Sequence, residues 1–192
     1  MKILTVYANP NPNSFCHAIL QQFTRGLKDS GHTNEVLDLY AIRFDPVLRS
    51  GDDPNWIDEN VPGDILDRMN LKQRVLNSCG GSVQRFIMER WLRNKSSLDI
   101  VKEIRKHRPK DILEQQQKVA QAQGLAFISP VWFVGFPAIL KGWIERVFTL
   151  DFAFRYPGIK KVEHVYFYAV YGADDKTRQS YLERAYILGK EF

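Results

Sequence analysis

The sequence predicts an open, doubly wound α/β sheet with helices on both faces. Strand-like apolar runs and helical spacings alternate from one end of the chain to the other. The chain also opens on a βαβ pattern, whose two strands a right-handed crossover makes parallel neighbours. At 192 residues, 44% hydrophobic and 26% charged, the chain suits one domain, 1–192, with ample core material and no compositional case for disorder.

The first strand is Ile3-Leu4-Thr5-Val6-Tyr7-Ala8, β-branched and mostly apolar, as a strand buried on both faces should be. It stops at Asn9-Pro10-Asn11-Pro12-Asn13. From Ser14 the spacing turns helical, with Phe15, Ile19, Phe23 and Leu27 on one stripe that ends near Ser30-Gly31. A second strand is expected at about residues 35–40. The middle, residues 45–123, reads as loops and helices broken by Pro54, Pro62 and Gly63. Ile65, Leu66, Met69, Leu71 and Val75 recur at helical spacing, and further helices are expected around 83–92, 97–105 and 111–122. The basic run at 105–110 reads as a solvated turn, with a phosphate contact as the alternative.

Gly124-Leu125-Ala126-Phe127-Ile128 is a third buried strand, halted by Ser129-Pro130. After the loop Val131-Trp132-Phe133-Val134-Gly135-Phe136, Pro137 suits a first helical position, and a helix should run to about residue 148. A last strand is expected at 165–170. Asp174-Asp175 then caps a helix carrying Leu182, Ala185, Tyr186 and Leu188.

Net charge is +5, a mild excess that suits small phosphate-bearing molecules and is no mark of a nucleic-acid binder. Cys16 and Cys79 lie far apart, without a second metal-ligand pair or a disulfide framework. They read as free thiols of a reducing cytoplasm, and no metal site is expected. The most apolar stretch, 131–140, is far shorter than the roughly 20 residues that span a bilayer, and the N-terminus reads directly as strand rather than as a secretion signal.

Ligands of such sheets bind at the carboxyl ends of the strands. The loop 9–14 leads into a helix whose early N–H groups lack intrahelical partners and whose dipole favours an anion. No carboxylate precedes Asp29, and His17 stands where a capping box would place Glu or Gln. An ordinary turn with Ser14 as a plain cap accounts for the local sequence equally well. Neither the Gly-rich dinucleotide fingerprint nor the P-loop pattern occurs. The loop 131–136 sets three aromatics directly after a strand end, where a planar ligand, a partner subunit or the middle helices would cover them. An anion site beside an aromatic shelf fits a flavin, phosphate at one end and ring at the other.

These two stretches, Ile3-Leu4-Thr5-Val6-Tyr7-Ala8-Asn9-Pro10-Asn11-Pro12-Asn13-Ser14-Phe15 and the run from Pro130 through Pro137-Ala138-Ile139-Leu140-Lys141-Gly142-Trp143 to Phe148, together with the C-terminal residues 163–192, resemble the flavodoxin-like NAD(P)H:quinone oxidoreductase family. The resemblance implies a flavodoxin-like doubly wound parallel sheet. It also implies hydride transfer from NAD(P)H through bound flavin, FAD with FMN as the alternative, to a quinone-like acceptor. By it, Asn9, Asn11, Ser14, Phe15 and Cys16 surround the flavin phosphates, and Pro130, Val131, Trp132 and Phe133 lie along the ring. Phe154 and Tyr156 match aromatics that reach into the partner subunit's substrate pocket, which implies a homodimer.

The sequence departs from the family after the aromatic arm. The family's further strand, its Thr-Thr-Gly-Gly-type loop and the following Tyr and His are not found, and residues 156–161 join almost directly to 162–165. A sheet of four strands in order 2-1-3-4 is therefore expected. In it, residues 165–170 sit beside strand three and bring Tyr171 and Gly172 to the flavin edge. A flavodoxin-fold binding or regulatory protein with lost turnover is the second reading. A flavodoxin-type electron carrier is a third, disfavoured by the positive charge.

Overall fold

The computed structural model describes residues 1–48, 63–106, 109–148, 162–170 and 172–192. Phe154, Tyr156 and Tyr171 lie outside the described residues. The chain divides into two compact units, one of residues 1–47, 114–145 and 159–192 and the other of 48–113 and 146–158.

In the first unit, β1 (Lys2–Tyr7) is the central strand, parallel to β2 (Thr33–Asp38) on one side and to β3 (Gly124–Ile128) on the other. Its apolar run predicts this place: Ile3, Leu4, Val6 and Tyr7 are all buried. Thr5 is buried too, and its hydroxyl donates to Asn34 Oδ1 at 2.8 Å, while Asn34 Nδ2 donates to Thr24 Oγ1 at 3.3 Å. A polar thread thereby joins β1, β2 and α1 (Phe15–Asp29) with its groups satisfied. Register pairs Ile3 with Asn34 and Gly124, and Tyr7 with Asp38 and Ile128.

Helix α1 packs its Phe23 and Leu27 on Ile3, with Ala126, Ile128 and Leu188 against the cluster. Near the C-terminus, α8 (Asp175–Lys190) runs alongside α1 in the same direction. Phe15 meets Tyr181 edge-on at 6.4 Å, Tyr186 Oη donates to Asp29 at 3.0 Å, and Ser30 Oγ donates to the Lys190 carbonyl at 2.7 Å. From the part of α6 (Lys110–Gln121) in this unit, Lys118 pairs with Glu35 of β2 at 2.9 Å. Helix α7 (Ala138–Val147) buries Trp143 edge-on against Phe127 at 6.0 Å. Gly142 is required beside it, because a Cβ there would stand 2.1 Å from the Pro46 carbonyl oxygen.

The second unit is helical. It contains α2 (Gly63–Arg68), α3 (Leu71–Asn77), α4 (Ser82–Leu92) and α5 (Ser97–Lys106). Leu66, Leu71, Leu92, Ile100 and Val101 form its core, with Met69, Val75, Leu76 and Met88 packed around them. The single helical spacing of residues 65–75 resolves into two helices, because Asn70 turns left-handed at φ 47° between α2 and α3. Within this unit the buried Arg146 reaches Asp111 at 3.2 Å.

The expected fourth strand does not form. Among the described residues the sheet has three strands, and residues 165–170 make no ladder. They run as irregular chain into a turn, where Ala169 takes φ 50° and Gly172 N–H donates to its carbonyl at 2.9 Å. The aromatics that imitate a strand bind α8 instead: Phe167 lies 5.3 Å from the Tyr181 ring, whose hydroxyl donates to the Tyr168 carbonyl at 3.1 Å. Strand preference measures the fit of a side chain to a half-buried surface, and a helix face offers such a surface as well as a sheet does.

Candidate functional site

Because β1 and β3 are parallel neighbours, the loops leaving their carboxyl ends emerge on the same edge of the sheet. The Ala8 N–H donates to the Ile128 carbonyl at 3.1 Å and ties the two exits together.

The first loop is a pair of successive side-chain turns. Asn9 Oδ1 accepts from the Asn11 N–H at 2.8 Å, and Asn11 Oδ1 accepts from the Asn13 N–H at 2.9 Å. Ser14 then caps α1, its hydroxyl accepting from the His17 N–H at 3.2 Å. The capping reading is therefore correct, and the Ser14 hydroxyl accepts from the His17 N–H. The earlier amides, at Phe15 and Cys16, lack intrahelical acceptors, and the first turn carries no acid.

Behind the cap, Tyr7 is buried with its ring edge-on to His17 at 5.8 Å. Burial raises the Tyr7 pKa, the nearby Ser14 side chain partly offsetting this, and neither the Tyr7 hydroxyl nor His17 Nδ1 has a well-directed hydrogen-bond partner among the described residues. Burial likewise pushes the Cys16 thiol up to about 11, although the Asn9 side chain works the other way. Cys16 is a neutral packing thiol near neutral pH, with no nucleophile's character.

Sequence reasoning missed Arg178. A cleft of about 380 Å³ opens at the start of α1, lined by Asn13, Ser14, Phe15 and Ala18 and, from the C-terminal part of the chain, by Val170 and Arg178. Asp174 caps α8 by accepting from the Thr177 N–H at 2.8 Å, which sets Arg178 in the first turn. Its Nε is buried without a partner among the described residues, and Asp175 is 4.0 Å from its Nη1. One local signal existed: a cation in a helix's first turn opposes the helix dipole, so a role beyond the helix is expected of it. The acid-free N-terminus of α1 and a guanidinium meet at this cleft, a donor set suited to phosphate.

The second loop is a tight turn. Trp132 and Gly135 exchange N–H to carbonyl bonds at 3.0 Å in both directions, and the two residues between them, Phe133 and Val134, take φ 49° and 64°. A β-branched residue in the left-handed region is strained, by about 1–3 kcal/mol. The turn holds Phe133 and Val134 fully in solvent, and Val131, Trp132 and Phe136 are exposed as well. No described residue covers these side chains as a core would.

The family model for a flavodoxin-like fold matches residues 1–158. The chain belongs to this flavodoxin-like family. It is 31% identical over 155 residues to NAD(P)H dehydrogenase [quinone] 1 of Cavia porcellus, an alignment covering 81% of this chain and 46% of that protein. To ribosyldihydronicotinamide dehydrogenase [quinone] of Rattus norvegicus it is 31% identical over 157 residues, covering 82% and 55%. The flavodoxin-like chain thus spans about half the length of the curated relatives it matches. Among solved structures, an NAD(P)H:quinone oxidoreductase from Methanothermobacter marburgensis has the same fold, with TM-score 0.65 and 22% identity over 100% of this chain and 95% of that one.

Proposed function

We propose that this flavodoxin-like protein binds a flavin, FAD by preference, and passes electrons from NAD(P)H to a quinone-like acceptor. The observation that carries the reading is the convergence of the acid-free α1 N-terminus and Arg178 on one cleft, beside a strained aromatic turn leaving the neighbouring strand. The names of its relatives supply the reductant and the acceptor class.

The residues present fit such a group. The Phe15 and Cys16 amides and the Arg178 guanidinium are donors for phosphate oxygens, with Asn9, Asn11 and Ser14 fixing the loop that aims them. Pro130, Val131, Trp132 and Phe133 offer apolar surface and turn amides to a planar ring. Gly172 stays assigned to the flavin edge, two residues beyond Val170, which lines that cleft. A bound flavin supplies the hydride chemistry itself. The chain's part is to anchor the phosphates, orient the ring and exclude water from one side of it. The family resemblance adds a homodimer in which Phe154 and Tyr156 reach the partner's pocket, and the two free cysteines, Cys16 and Cys79, suit a reducing cytoplasm.

One observation favours a second reading, a flavin-holding protein with little turnover. The turn of residues 131–136 contains no side chain that can carry a proton, so it can stack against a ring without assisting proton transfer. Purified protein reconstituted with FAD separates the two. Colour that bleaches with NADH or NADPH and returns on adding a quinone supports the enzyme; bound flavin that neither reductant bleaches supports the second reading. Failure to bind FAD or FMN contradicts both.

A further inference from the structure

Helix α4 of the second unit is apolar on two faces, and only one is used. Met88 and Leu92 pack into the unit's core. The other face carries Val83, Phe86, Ile87 and Trp91, with 73%, 67%, 61% and 37% of their surfaces exposed. Contiguous exposed apolar side chains of this size mark a contact surface. The stripe's surroundings are basic. Arg90 falls within it by helical spacing, Arg93 borders the Phe86 side, and Lys95 lies over the Trp91 ring at 5.3 Å. Arg85 is paired with Glu89 at 3.2 Å, and Glu89 is the one acid of the helix.

We propose that this face of α4 docks on an anionic lipid surface, with Phe86, Ile87, Val83 and Trp91 entering the headgroup boundary and Arg90, Arg93 and Lys95 meeting lipid phosphates. Charge decides between occupants. A second copy laid on the same stripe would trap Arg90 against apolar side chains and face one basic rim with another. At a lipid boundary an arginine buries its stem and keeps its head among phosphates, and an aromatic-rich, Lys/Arg-flanked helix is the form that lies in that plane. No helix among the described residues is long and apolar enough to cross a membrane.

Vesicle sedimentation of the full chain tests this, with phosphatidylcholine alone against phosphatidylcholine mixed with phosphatidylserine. The expected result is binding to the serine-containing vesicles only, weakened about tenfold on raising salt from low to well above physiological strength. The doubly substituted Phe86→Ser, Ile87→Ser protein should lose vesicle binding while keeping its circular dichroism and melting profile, since both side chains face solvent. Absence of wild-type binding to anionic vesicles overturns the proposal, as does binding that survives the double substitution. A dimer by analytical ultracentrifugation that this substitution dissociates, without vesicle binding, identifies a second copy as the occupant and equally overturns it.

Discussion

Gly26 of α1 and Gly189 of α8 meet backbone to backbone. A Cβ on Gly26 would stand 2.1 Å from the Tyr186 carbonyl oxygen and 3.1 Å from the Gly189 carbonyl carbon, and one on Gly189 would stand 2.1 Å from the Phe23 carbonyl oxygen. No rotamer relieves a backbone overlap, so this crossing sets how close the helices lie and hence where Arg178 stands relative to Ser14. Gly26→Ala or Gly189→Ala should cost about 2–3 kcal/mol in urea unfolding. Gly31→Ala is the contrast: it meets no neighbour and strains only the φ of 75°, so about 1 kcal/mol is expected.

Arg178→Gln removes the cation from the cleft and leaves a shorter, neutral polar side chain. Flavin affinity should fall at least tenfold, with the melting temperature unchanged, as expected for loss of a charge-assisted phosphate contact. Equal affinity in a fluorescence titration would assign the guanidinium a purely structural place.

Strain at Val134 separates folding from binding. Val134→Gly should stabilise the protein by about 1 kcal/mol by relieving the left-handed β-branched residue. Phe133→Ala should leave stability unchanged, because the ring is exposed, and weaken flavin retention or alter the flavin spectrum. Thermal melts and absorbance spectra of the two variants check both halves.

Alkaline pH should destabilise the fold through Cys16. Its folded pKa, raised from 9.0 to about 11, means that the unfolded chain releases the thiol proton first. The associated stability is complete below about pH 9 and declines as pH rises through 11, by roughly 3 kcal/mol in all. Tyr7, also raised by burial, adds in the same direction at higher pH. Urea midpoints at pH 8, 10 and 11 should therefore fall, and Cys16→Ala should flatten the decline relative to wild type.

Elements whose side chains answer to their own strand or helix were readable in advance. The buried run of β1, the α1 stripe of Phe23 and Leu27, the Asp174 cap and the α4 to α6 spans all follow from local spacing and capping. Residues 165–170 were not readable, because Phe167 and Tyr168 satisfy α8 and no ladder records that choice in the sequence. Arg178 was missed for a related reason. Its neighbours Asn13 and Ser14 are distant in the chain and meet it only through the Gly26 and Gly189 crossing, whose signal is two small residues in two helices.

Flavin phosphates are proposed to dock at the start of α1, beside Arg178. Titration of FAD into the protein, followed by flavin fluorescence and repeated on Ser14→Asp, tests it most directly. Saturable binding near one flavin per chain, weakened at least tenfold by a carboxylate placed at that helix end, is the predicted result. Binding that the Ser14→Asp protein retains at wild-type affinity would contradict it.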